Sequence, residues 1–144
     1  MSCDYTEGVD YILSVVLDAV RPHGWPLLFQ DTASDPDRGG SAPSAPVWLR
    51  ATIRHGDGFQ SSLTGPLEAK KRHTQEGVVI IQIFAESGDG GKAAYDAAQI
   101  VSTALKKSRD IPVWFRRVRI NNVDSKGPYD QINVLADFSY DDVR

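Results

Sequence analysis

The feature of this sequence that most limits its folding options is a change in hydrophobic period along the chain. Between Asp4 and Val20, the residues Val9, Ile12, Leu13, Val16, Leu17 and Val20 recur at helical spacing and form one apolar stripe. From Val47 the period is two: Val47, Leu49, Ala51 and Ile53 alternate with Trp48, Arg50, Thr52 and Arg54. The cleanest alternation comes late, where Ile132, Val134, Ala136, Phe138 and Tyr140 are separated by mostly polar residues. Helix, strands, helix, strands with hairpin-like connections is the pattern of an α+β fold. The expectation is a mainly antiparallel β-sheet with two helices packed on it.

Local signals sharpen the boundaries. Asp4 followed by Glu7 has the form of a capping box, and Arg21-Pro22 supplies a stop. A second helix is expected from about Gly90 to Lys107, with Asp89 as N-cap and a buried stripe of Ala94, Ala97, Ala98, Val101, Ala104 and Leu105. Lys106, Lys107 and Arg109 fall where cations suit the helix dipole. Strands are expected at 47–55, 78–85, 113–123 and 131–140, with a short partner strand between Phe59 and Leu63. Val78 to Ala85 is apolar on both faces except Gln82, the pattern of a central strand covered on both sides. His55 to Gly58 reads as a turn, and the polar run ending at His73 as a hairpin tip.

Residues 31–46, DTASDPDRGGSAPSAP, carry too little apolar surface to offset the entropy of ordering. They read as a flexible loop or arm, either a solvated surface loop or an arm that orders against a neighbouring subunit. The whole chain, 1–144, reads as one domain, since 144 residues leave little room for two. A single Cys excludes an internal disulfide and argues against a cysteine metal site. No apolar run approaches the roughly 20 residues of a bilayer span, and the N-terminus lacks the pattern of a signal peptide. A net charge of −3, from 16 Lys+Arg against 19 Asp+Glu, does not fit a dedicated duplex-binding domain.

The search for chemistry returns little. Gly88-Asp-Gly90-Gly91 precedes a helix but lacks the remainder of a phosphate-binding fingerprint. His23, His55 and His73 are far apart, and the spacing of His55 and Asp57 around Gly56 is ordinary for a turn. Ser61, Ser62 and Thr64 lack a nucleophile elbow, and Asp141-Asp142 is poorly placed for a desolvated acid. No catalytic residue, metal or cofactor is expected. The basic groups are more informative: Arg116, Arg117 and Arg119 on one strand, with Arg117 and Arg119 sharing a face, and Lys70, Lys71 and Arg72 in the polar run. Together with Trp48, Arg50 and Arg54 they have the composition of a protein interface that docks acidic surfaces, against the plainer reading of a solvated face.

From Pro46 onward the chain resembles the tail terminator, or tail-completion, family of long-tailed bacteriophages. The resemblance is carried by Pro46-Val-Trp-Leu-Arg50, by His55-Gly-Asp-Gly58 leading to Gln60-Ser-Ser-Leu63, and by Gly77-Val-Val-Ile-Ile-Gln-Ile-Phe-Ala85. It continues through Gly88-Asp-Gly90, Tyr129-Asp-Gln-Ile-Asn-Val134 and Phe138-Ser-Tyr-Asp141, and rests on their succession. Leu27 to Thr32 looks like the family's short strand before the long loop. The resemblance implies a non-enzymatic virion subunit that forms a ring, most simply a hexamer. Such a ring caps the tail tube at its head-proximal end, stops polymerisation and presents a surface for head–tail joining. Its partners would be further copies of itself, the tube protein and a head-side neck or connector protein, with DNA only passing through the lumen and no membrane. Assembly would take place in the host cytoplasm. A neck or head-completion connector of similar fold is the alternative, and a small ligand-binding domain or enzyme a more distant one.

Overall fold

Asp4 starts the first helix through its side chain: Oδ1 accepts from the Glu7 N–H at 2.8 Å, satisfying a donor that a helix start leaves open. A computed structural model of the chain describes residues 4–29, 46–56, 59–60, 72–86, 91–109, 111–123 and 129–143. Helix α1 (Tyr5–Val20) buries Ile12, Val16 and Val20, whereas Leu17, at the margin of the stripe, is exposed. Pro22 ends the helix through a single 3-10 turn at Arg21–His23, closed by Gly24 in the left-handed region at φ 67°.

The strands follow as β1 (Leu27–Phe29), β2 (Val47–His55), β3 (Phe59–Gln60) and β4 (Arg72–Glu86); helix α2 (Lys92–Lys107) precedes β5 (Val113–Val123) and β6 (Tyr129–Val143). They form one sheet in the order β1-β2-β4-β6-β5, with β3 beside the start of β4. Among the described pairings only β1–β2 is parallel. The fold is therefore α+β, a mainly antiparallel sheet with two helices packed on it. Val47, Leu49 and Ala51 of β2, Val79 to Ala85 at alternate positions of β4, and Ile132 to Tyr140 at alternate positions of β6 turn one face of the sheet toward the helices. Ala94, Ala97 and Ala98 of α2 let its axis approach that face closely, with Val101 and Leu105 completing the contact.

Several boundaries differ from the sequence expectation. β4 starts at Arg72 and β6 extends to Val143, because the polar ends of both strands pair with each other, Arg72 opposite Val143 and Glu76 opposite Ser139. His73 thus lies within a strand, not in a hairpin tip. Helix α2 begins at Lys92 with Gly91 as its N-cap at φ 83°, a backbone state open to glycine. Asp89, the expected cap, lies outside the described residues, as do residues 61–71 and, except for Pro46, the expected loop at 31–46.

β4 is central, as expected, but among the described residues helices cover only one of its faces. Val79, Ile81, Ile83 and Ala85 are fully buried under the helices, but Val78, Ile80, Gln82 and Phe84 on the other face are only half-buried. Both helices pack on the same side, so among the described residues no helix lies over the second face.

At Gly77 the backbone of the neighbouring strand β2 and a core ring come close together. It sits opposite His55 in β2 and Phe138 in β6; a β-carbon there would overlap the Arg54 carbonyl oxygen and lie 2.6 Å from Phe138 Cζ. Gly77→Ala is expected to lower stability by roughly 2–3 kcal/mol, the cost typical of overpacking, measured by denaturant unfolding. A variant as stable as the parent would show that this approach is less tight than the geometry states.

Candidate interface on the open sheet face

The strand register assembles the open face. Trp48, Arg50, Thr52 and Arg54 of β2 lie opposite Phe84, Gln82, Ile80 and Val78 of β4, which in turn face Gln131, Asn133, Leu135 and Asp137 of β6. The centre is apolar, with Val78, Ile80 and Leu135 half-buried, and the two ends differ in chemistry.

At one end Trp48 stacks on Phe84 with centroids 4.2 Å apart, and meets the edge of Tyr129 at 6.2 Å. This shields Trp48 to 4% exposure, and its Nε1–H has no acceptor among the described residues. Arg50 is 8% exposed: its Nε donates to Gln82 Oε1 at 2.7 Å, and its guanidinium lies 5.9 Å from the Phe84 centroid. Two residues singled out for interface composition are therefore built into the sheet surface, whereas Arg54 is exposed.

At the other end the arginines of β5 converge. Arg116 pairs with Asp137 in the ladder and Arg119 with Leu135, so a β-bulge places Arg117 and Val118 against one residue of β6. Arg117 takes φ 50°, uncommon for a residue with a side chain and costing about 1 kcal/mol. Strict alternation would put Arg116 on the face opposite Arg117 and Arg119; the bulge instead brings all three to the open side. Arg117 Nη1 reaches Asp137 Oδ2 at 3.4 Å, Arg119 Nη1 reaches Asp137 Oδ1 at 3.3 Å, and Arg116 Nη2 lies 3.6 Å from Glu76 Oε1. Arg119 Nη1 also donates to the Arg117 carbonyl at 2.9 Å, bracing the bulge. Lys70 and Lys71 lie outside the described residues, and Arg72 opens β4.

His55 is the last residue of β2, where the expected strand 47–55 ends, and is turned to the helix side. Its Nε2 is 2.7 Å from Tyr140 Oη, and its ring meets the Phe138 ring edge-on at 5.2 Å. Tyr140 in turn lies against α1 at Gly8, where a β-carbon would be 2.7 Å from the ring. The imidazole is thus a packing element joining sheet and helix. A shallow cleft of about 400 Å³ beside it is lined by Arg54, Glu76, Arg116 and Asp137. Among the described residues, no group of three His, Cys, Asp or Glu side chains is arranged to hold a metal ion, and no helix is long and apolar enough to cross a membrane.

No family model matches the sequence, and no curated protein matches it. Seventeen chains of solved structures match in fold. One, whose name carries no word about function, has a TM-score of 0.56 and 16% identity, covering 94% of each chain. That likeness shows a shared fold.

Burial holds the His55 imidazole below its ordinary value of 6.5. Below about pH 6.5 the unfolded chain takes up a proton that the folded one resists, so this contribution to stability is complete above that pH and lost as pH falls. His55→Gln keeps a partner for Tyr140 and does not titrate. The difference in Tm between parent and variant is expected to shrink between about pH 8 and about pH 5, in thermal melts. A constant difference would contradict the burial effect.

Proposed function

We propose that this chain is a structural ring subunit of the tail-terminator kind, capping a phage tail tube at its head-proximal end and offering the surface for head–tail joining. The observation that carries this reading is the open sheet face: an apolar centre bordered by convergent arginines, with both helices on the opposite side. A surface of that composition suits repeated docking between protein subunits, where aromatic and Arg side chains are favoured. The sequence resemblance from Pro46 onward supplies the context, and an α+β subunit with helices packed on a sheet agrees with it. In a ring the same contact recurs at every subunit, so individually weak contacts add through effective concentration on the tube end. The working stoichiometry is six.

Electron microscopy of particles assembled with and without this chain tests the reading. Without it, tails are expected to vary in length and to fail to join heads. Tails of normal length that still join heads would reject the terminator role. Normal tails that stay separate from finished heads would place the chain one layer nearer the capsid, as a neck connector.

A further inference from the structure

Helix α1 presents an acidic side that complements the arginines of the open sheet face, whereas α2, with Lys92, Lys106 and Lys107 against Asp96, does not share that charge. Helix α1 and its cap carry Asp4, Glu7, Asp10 and Asp18, all exposed, and α1 contains no Lys or Arg. Glu7, Asp10 and Asp18 fall along one side at helical spacing, with Ser14 between them and Leu17, 38% exposed, beside them. Arg21, just after the helix, pairs with Asp18 at 3.7 Å. On the sheet side, Arg116 stands beside Glu76 and Arg117 and Arg119 beside Asp137, with Arg54 exposed; Asp141 accepts from Thr74 Oγ1. The guanidinium groups are the outer layer: the Arg117 side chain is 76% exposed and that of Asp137, beneath it, 27%.

We propose that the open sheet face of one copy receives the acidic side of α1 from the next copy, Arg116 and Arg117 meeting Asp10 and Asp18 while Leu17 seats on Val78, Ile80 and Leu135. The two surfaces belong to opposite layers of a two-layer fold, so the contact is head-to-tail. Front-to-front pairing would set the arginine cluster against itself, and like charges in apposition oppose it. Head-to-tail contacts either close into rings or continue as filaments, which gives the ring a physical origin. The inference rests on the ring reading above and names its interface.

Two variants of the full chain test it: Asp10→Arg with Asp18→Arg, and Arg116→Glu with Arg117→Glu. Arg119 is left in place because it braces the bulge. Assembly is followed by native mass spectrometry alone and with tube protein, and folding by circular dichroism. Each variant is expected to stay folded and to lose self-association by at least about tenfold, since two attractions become repulsions. An equimolar mixture is expected to recover rings in which the two variants alternate, because each then offers the charge the other lacks. Parent rings that survive both reversals, or folded variants whose mixture does not recover, overturn this interface and leave the ring reading standing. A parent chain that stays monomeric alone and with tube protein overturns both.

Discussion

The antiparallel ladder between β4 and β6 is the element on which the rest of the molecule is mounted. Each strand is 15 residues long, and they pair from Arg72 opposite Val143 to Glu86 opposite Tyr129. β2 and β3 add to the far side of β4, β5 to the far side of β6, and α2 lies across the helix-side residues of both. Because side chains alternate with period two, this one register decides which residues enter the core and which face outward. A slip by one position would exchange Val79, Ile81 and Ile83 for Val78, Ile80 and Gln82. Phe138 over Gly77 resists such a slip, since only a residue without a β-carbon fits beneath the ring.

The elements whose side chains alternate by chemistry were legible before the structure. β2 and β5 span the residues that the alternation marks, and α1 starts at the cap that Asp4 provides. The ends of β4 and β6 were hidden because their outer residues are polar and pair with each other, so no hydrophobic period extends into them. That helices cover one face of β4 among the described residues was not legible, for a related reason. An apolar run reports what a strand tolerates, whereas the side on which the helices settle depends on α1 and α2 together.

The site was legible as a set of residue types but not as an arrangement. Arg116, Arg117 and Arg119 stand out in the sequence, yet their meeting at Asp137 depends on a bulge that no glycine announces. Trp48 and Arg50 read as surface candidates because strand alternation places them outward. Phe84 stacks on Trp48 and Gln82 accepts from Arg50, partners far along the chain that the β2–β4 register brings beside them. His55 reads in the sequence as the junction between a strand and the Gly-Asp-Gly turn after it, while its contacts with Phe138 and Tyr140 arise from β6. The ion pairs on this face are half exposed, and such pairs contribute about 0–1 kcal/mol each. They orient the arginines more than they stabilise the fold.

The place of β6 carries a consequence for biosynthesis. It follows the other described strands, yet it is inserted between β4 and β5. As the polypeptide leaves the ribosome, β4 and β5 have no bridge between them until that last segment is available. Two long strand edges stay unpaired during this interval, and Phe138 and Tyr140, which seat the sheet against Gly77 and α1, arrive last. Unpaired edges of this kind recruit other strands. The nascent chain is therefore most vulnerable to mispairing between the emergence of β5 and that of β6, and a holdase chaperone would have its largest effect in that window.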